Sequence, residues 1–526
     1  MAEAIRASLL ARVRTCDAAE TPADAGQPAA HDRVVVQPEG TRSTDPGRGT
    51  VSGFPFGGSS MVETSARLTT QQLDQLRRSV GEVITPGDDT YDDARRLWNA
   101  IHDRRPAVIV RPTTATKVAT AVRFAREHDL EIAVQSGGHS AAGLAGRQGG
   151  IVIDLSAMRG VEANPETRIA RANGGAFLGE LDIAAQAHGL VCPVGVVGHT
   201  GVAGLTLGGG VGRLQRNFGL TIDNLAAVEI ATADGRLVRA TETEEPELFW
   251  GLRGAGWNFG IATAFEFRLQ PFGPELNRGV LTFQASDVQD VWTVFREYAS
   301  TAPDTVSVIF GIDRAGPDAG YADEMVGKPI AYLAWNHSGS ADVVERDTAG
   351  LRTGPTPLTT MIGSAPYLDV QTAHDLAFAW GSRSFIKGHY ANAVRPEAFD
   401  ELVEHVATAP GESTFSVTAL GGAIARVAED ATAYSGRETA YDLSADSSWS
   451  DASLDEANAD WCRRAIAIVE PDRALGAYAN GNSDVGPEES RRIYGDEKLA
   501  RLAALKREWD PDNAFHVNPN VAPATD

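Results

Sequence analysis

The sequence predicts an α+β fold, and three observations carry that prediction. From about residue 104, short apolar runs alternate with stretches of helical period. Two of the runs, 225–232 and 236–240, meet at Asp234-Gly235 and read as a hairpin. Residues 276 to about 465 then change texture: strands at 278–283 and 330–335 separate two long helices, 288–299 and 396–407. Antiparallel pairing beside segregated helices distinguishes this pattern from a regular doubly wound sheet.

Each element has its own local reason. The segment 68–80 is amphipathic, and Ala107-Val108-Ile109-Val110 reads as the first firm strand. Thr114 can cap a helix whose Val118, Val122 and Ala125 share a face, closed by Asp129 and Leu130. Strands follow at 131–135 and 151–155, and a helix at 176–187 ends at His188-Gly189, with glycine where a C-cap belongs. A strand at 261–269 stops before Pro271 and Pro274. After the second region come polar loops, a helix at 497–509 and the stop Asp510-Pro511-Asp512.

At 526 residues, with 43% hydrophobic and 22% charged, the chain has the composition of a globular protein of two or three packed units. Its 70 acidic and 47 basic residues give a net charge of −23, which repels phosphate backbones and anionic membranes. Nucleic acid and lipid surfaces are therefore excluded as partners. Only five basic residues are lysine. Cys16, Cys192 and Cys462 are too few for a disulfide framework, there is no apolar run of 18 residues, and 5–13 is not an export signal, so a cytoplasmic monomer or homodimer is expected. Residues 1–60 read as a disordered extension, with Met61 an alternative start.

Three glycine-rich clusters carry the chemistry. Gln135-Ser136-Gly137-Gly138-His139-Ser140 follows a strand, and its backbone N–H groups can converge on an anion. The second runs from Gly195 through Gly198-His199-Thr200-Gly201 and Gly204 to Gly208-Gly209-Gly210-Val211-Gly212. That density suits close backbone approach to a large flat ligand. The third, 253–260, precedes a strand. None is a Rossmann fingerprint, and the sequence holds no Walker A, no zinc pair of the His-Glu-x-x-His type and no Gly-x-Ser-x-Gly elbow. No metal site is expected.

With these motifs, residues 104–275 resemble the flavin domain of the vanillyl-alcohol-oxidase (PCMH) type. The chain from about 65 onward resembles the berberine-bridge-enzyme-like oxidoreductases, in their bacterial branch. Further motifs behind the resemblance are Ile109-Val110-Arg111-Pro112, Gly219-Leu220-Thr221-Ile222-Asp223-Asn224, Asn258-Phe259-Gly260 and, at the end, Trp509-Asp510-Pro511-Asp512-Asn513 and Phe515. The resemblance implies a two-subdomain FAD-binding domain at 61–275 and a substrate domain at 276–465, with an antiparallel sheet covered by helices. A C-terminal segment, 466–526, returns to the flavin domain.

It also implies FAD bound covalently through His139. A second tether through Cys192 is open, because Cys192 to His199 is one residue shorter than the double-tether pattern. Ser136, Gly137, Gly138, Ser140, Gly198, His199, Thr200, Gly204, Gly209, Gly210, Asp223, Asn224, Gly260, Ile261, Tyr478 and Asn480 complete the implied cofactor site, and Val194 falls near the position that controls oxygen access. Tyr478, in Tyr478-Ala479-Asn480-Gly481, is the implied proton acceptor, with Lys387, His389 and Tyr390 as further catalytic candidates on the implied substrate-side strand. The expected reaction is hydride transfer from an alcohol, sugar or natural-product intermediate to flavin, with O2 reduced to H2O2. The alternatives are a dehydrogenase or oxidative cyclase with poor O2 reactivity, and a flavin-carrying protein that sequesters a small molecule.

Overall fold

The computed structural model describes residues 68–317 and 320–525. The expected extension at 1–60, Cys16 and Met61 lie outside the described residues. Three sheets organise the rest. The first has four strands, in the order Glu82–Ile84, Val108–Arg111, Ile151–Asp154, Ile132–Gln135. Its last three strands are parallel, so a crossover helix, Ala115–Glu127, connects Val108–Arg111 to Ile132–Gln135. Thr114 caps that helix by accepting the Lys117 N–H at 3.3 Å, and Val118, Val122 and Ala125 are buried as its period requires.

The second sheet is antiparallel, in the order Val161–Asn164, Ile169–Asn173, Ile261–Arg268, Leu225–Ala231, Leu237–Ala240. The expected hairpin pairs Ala231 with Leu237 around the Asp234-Gly235 turn. Phe249, Phe259, Phe265 and Phe267 fill the core on this side, joined by Ala477, Tyr494, Leu502 and Trp509 from the last part of the chain.

Seven antiparallel strands form the third sheet: Thr359–Pro366, Glu275–Gln284, Pro329–His337, Val306–Arg314, Glu412–Ala419, Tyr441–Trp449 and Arg383–Ala391. One face carries Leu281, Phe310, Leu333, Phe415 and Leu443, and these share an apolar core with Trp292 and Phe295 of helix Val288–Thr301, Phe399 of Pro396–Ala407 and Trp461 of Asp455–Val469. The last of these helices runs past 465, because Ile466 and Val469 still belong to this core.

The C-terminal helix is Pro487–Trp509 and starts earlier than expected. Pro487 occupies its first turn with Glu488 and Glu489 favouring the N-terminal dipole, and Gly495 (φ 71, ψ 166) kinks it near the expected start. Beyond it, the fully buried Lys506 ammonium donates to Asp510 Oδ2 (2.7 Å), the Asn258 carbonyl (2.7 Å) and the Phe515 carbonyl (2.8 Å). No helix among the described residues is long and apolar enough to cross a membrane.

Candidate active site

A cavity of about 340 Å³ opens where the three sheets and the C-terminal segment meet. Its wall takes Ser136, Gly137, Gly138, His139 and Ser140 from the loop after Ile132–Gln135, and Thr200, Gly201 and Gly204 from the second glycine cluster. Gly260 and Ile261, then Tyr478 and Asn480, also line it, as the sequence expects. Phe515, Val517, Asn518 and Pro519 also line it; they are separated by hundreds of residues from the glycine loops, and only the C-terminal motif match hinted at them.

The two glycine loops touch at Gly137 and Gly201. A Cβ on Gly137 would lie 2.2 Å from the Gly201 nitrogen, and a Cβ on Gly201 would lie 2.3 Å from the Gly137 nitrogen. Only glycine permits that approach from either side. The N–H groups of Gly137, Gly138 and His139 pair with no acceptor among the described residues, leaving a run of donors at the cavity wall. Elsewhere on the wall, the Asn518 amide donates to the Trp257 and Phe515 carbonyls, both at 3.0 Å, while its Oδ1 is buried without a partner among the described residues. Free backbone donors for a pyrophosphate, an unfilled acceptor and an apolar slot are the features that FAD needs, so the residues fit it.

His139 sits in an aromatic box. It stacks on Trp98 (centroids 4.9 Å apart, interplanar angle 17°) and meets Trp380 edge-on at 6.3 Å. Its Nε2 lies 2.6 Å from His199 Nδ1, and His199 Nε2 lies 3.2 Å from the Asp375 carbonyl. Burial, and then the neighbouring His199, push the His139 pKa down to about 3, so the ring is neutral.

Tyr478 stands at another part of the wall. Its hydroxyl oxygen accepts the Val211 N–H at 3.3 Å and an Asn480 Nδ2 hydrogen at 3.1 Å. Burial nevertheless raises the phenol pKa above 10, outweighing these two donors. No cation among the described residues is paired with it, and Lys387, a further catalytic candidate, is held elsewhere by Asp484 and Glu489, each at 2.9 Å.

Several expected site residues are placed away from the wall. Strand Arg383–Ala391 pairs with Tyr441–Trp449 so that Lys387 opposes Ala445 and His389 opposes Leu443, both members of the helix-covered core. Alternation therefore points Lys387 and His389 away from the cavity and turns Ile386, which lines it, and Tyr390 the other way. His389 is 3% exposed, burial pushes its pKa down to about 4, and neither ring nitrogen has a partner among the described residues. Tyr390 is sealed behind Tyr434, to whose hydroxyl its own is hydrogen-bonded. None of the three is placed to meet a substrate in the cavity.

Cys192 is also misplaced for its expected task. Fully buried, it belongs to the apolar core with Leu181 and Ala185 rather than to the wall, which begins at Gly195. Burial, then the Asp182 carboxylate, raise its thiol pKa far above the ordinary range, the reverse of what a nucleophilic sulfur needs. Val194 shares that core. Asp223 caps the Leu220 N–H (2.9 Å) and pairs with the fully buried Arg437 (2.7 Å), while Asn224 holds the Phe218 and Leu220 carbonyls. Both brace the turn rather than face the cavity. Gly209 backs onto the Tyr434 ring and Gly210 onto Thr221, and Gly198 and His199 stand behind His139.

Two acidic residues escaped sequence reasoning. Asp446 and Asp442 lie opposite Ile386 and Tyr390, hence on the sheet face turned toward the cavity. Burial raises their pKa values, to about 7 for Asp442, with Asp446 a second cause, and to about 6 for Asp446, where the Ser444 hydroxyl pulls the other way. A carboxyl raised in the fold stabilises the protein below its unfolded value of 3.8 and loses that contribution as pH rises through about 7. Asp442→Asn is therefore expected to lie close to the wild type in thermal midpoint at pH 4, and to exceed it at pH 8 by the equivalent of up to about 4 kcal/mol. Differential scanning fluorimetry at the two pH values reads the difference.

Two family models match the chain: an FAD binding domain over residues 106–241, and a berberine and berberine-like segment over 477–522. The (R)-6-hydroxynicotine oxidase of Paenarthrobacter nicotinovorans is 31% identical, over 84% of this chain and 97% of that protein. The crystal structure of 6-hydroxy-D-nicotine oxidase from Arthrobacter nicotinovorans superposes with a TM-score of 0.74 at 28% identity, covering 84% of this chain and 98% of the other. The BBE-like 1 protein of Physcomitrella patens shares the fold, with a TM-score of 0.77 at 24% identity over 86% of this chain and 99% of its own. A cavity edged by free backbone donors, the two glycine loops that form it, and full-length similarity to such oxidoreductases agree: the chain belongs to the berberine-bridge-enzyme-like family of FAD-linked oxidoreductases.

Proposed function

We propose that the chain is an oxidase that removes a hydride from a carbon bearing or adjoining a heteroatom in a small alcohol, sugar or natural-product intermediate, and passes the electrons to O2 as H2O2. FAD, once bound, supplies the two-electron acceptor. The observation that carries the reading is His139: a neutral imidazole boxed into the cavity wall, with its Nε2 engaged and its Nδ1 free of any hydrogen bond among the described residues, suited to a covalent bond with the cofactor. The similarity to a relative named an oxidase supports O2 as the acceptor.

In this reading Gly137, Gly138 and His139 offer N–H groups to the pyrophosphate, and Asn518 fixes a polar edge of the ligand. Tyr478 handles the substrate proton. Its two donors favour the phenolate, while burial opposes it. Turnover limited by proton removal is therefore expected to rise with pH toward the alkaline range. Tyr478→Phe is expected to lower kcat about ten- to hundredfold, the loss of one hydrogen bond to a developing charge, and to remove that rise while FAD content stays unchanged. Stopped-flow flavin reduction across pH reads both effects.

Oxygen consumption measured with peroxide formation tests the reading. Equal amounts of O2 consumed and H2O2 formed, on a substrate that bleaches the flavin anaerobically, are expected. Reduced flavin that persists in air would contradict it.

A further inference from the structure

We propose that Asp375, on the 373–382 segment after helix Tyr367–Thr372, is the positioning residue that fixes the orientation and tautomer of His139 for cofactor attachment. This rests on the reading that His139 carries the tether. The segment reaches every ring around His139. The Asp375 carbonyl lies 3.2 Å from His199 Nε2, the Phe378 carbonyl accepts the Trp98 indole N–H at 2.6 Å, and Trp380 packs directly on Gly138 and His139. The Asp375 carboxylate also accepts the Gly198 N–H at 2.6 Å, clamping the loop that carries His199. Arg213 pins the start of the segment through Gln371 Oε1 (3.1 Å) and His374 Nδ1 (2.9 Å).

These contacts settle the proton positions. A carbonyl only accepts, so His199 carries its hydrogen on Nε2, and its Nδ1 is bare. The 2.6 Å contact then requires His139 to donate from Nε2, which leaves the lone pair on Nδ1. Attachment forms a bond from that Nδ1 to the flavin 8α carbon and breaks a C–H bond there. The carbon-bound proton goes to solvent, the electron pair passes onto the flavin ring and then to O2, and His199 Nδ1 takes the Nε2 proton of His139. The two protons and two electrons balance as H2O2. Without the Asp375 carboxylate the Gly198–His199 loop loses its clamp; the main-chain carbonyl of residue 375 remains, but His199 is no longer held against it, can rotate or exchange tautomer, and Nδ1 of His139 is no longer reserved as the nucleophile.

The test uses full-length protein expressed with flavin, comparing wild type, Asp375→Ala, Asp375→Asn and His139→Ala. Total FAD is read from the native absorption, and covalent FAD from the acid-precipitated pellet and the intact mass. Asp375→Ala is expected to bind FAD yet attach it about tenfold more slowly, the loss of one positioning hydrogen bond, visible as unattached flavin at early harvest. Asp375→Asn keeps an oxygen for the Gly198 N–H and is expected to attach at the wild-type rate. Wild-type attachment in Asp375→Ala would overturn the proposal, and so would loss of attachment in Asp375→Asn, because charge rather than position would then be the cause. If Asp375→Ala fails to fold, Asp375→Ser, whose hydroxyl is too short to clamp Gly198, takes its place with the same two outcomes. Flavin lost from the wild-type pellet would instead sink the tether reading itself, whereas a retained tether absent only in His139→Ala isolates a failure to Asp375.

Discussion

His139→Ala is expected to release all of its flavin into the supernatant on acid precipitation while still purifying yellow. The variant keeps the unpaired N–H groups of Gly137 and Gly138 and the apolar wall, so FAD binds, but nothing holds it when the fold is lost. Thermal stability should then depend on free cofactor: added FAD stabilises the fold by RT ln(1 + [L]/Kd), about 2.7 kcal/mol at a hundredfold excess over Kd, and the midpoint rises with it. The tethered wild type should not respond. Turnover is expected to fall by at least about tenfold, or 1.4 kcal/mol of barrier, because an untethered ring is a weaker electron acceptor and is less firmly placed. Titrating FAD into both proteins during thermal melts, then measuring initial rates at saturating FAD, separates binding from chemistry.

Lys506→Met should be the most damaging single change to stability outside the cavity. The ammonium and the Asp510 carboxylate are both fully buried, and the ammonium also holds the Asn258 and Phe515 carbonyls. Removing it leaves the buried Asp510 carboxyl without its cation, with the Ala514 and Phe515 N–H groups as its remaining partners among the described residues. Breaking a buried pair in this way costs about 3–5 kcal/mol. The damage reaches the site because Phe515, Val517, Asn518 and Pro519 line the cavity immediately after this turn. A lower denaturant midpoint and weaker FAD retention are expected together. The double change Lys506→Met with Asp510→Leu should recover part of the stability, since two apolar groups can replace a buried pair at little net cost.

What the sequence revealed and what it hid divide along physical lines. Local signals were legible. Thr114 as a cap, the Asp234-Gly235 hairpin and the helices at 288 and 396 all follow from periodicity and turn chemistry, and these elements form where expected. The glycine clusters were legible for a related reason, since a backbone that must approach another closely admits no side chain, as Gly137 and Gly201 show. The absolute face of a strand was not legible. Alternation groups Lys387 with His389, and Ile386 with Tyr390, but it does not say which pair meets the helices; that follows from the core that Ala445 and Leu443 join across the ladder. The same uncertainty hid Asp442 and Asp446. Cys192 was read from a motif spacing one residue short, and its sulfur is turned into the core. The Asp375 contact joins residues some 176 positions apart, and no local pattern encodes it.

A covalent bond at His139 is tested most directly by acid precipitation of the wild-type protein followed by proteolysis and mass analysis of the yellow peptides. The flavin is expected to stay in the pellet and to map to the peptide containing Ser136 to Ser140, with no flavin on the peptide containing Cys192. Flavin wholly in the supernatant, or mapped to Cys192 alone, would contradict it.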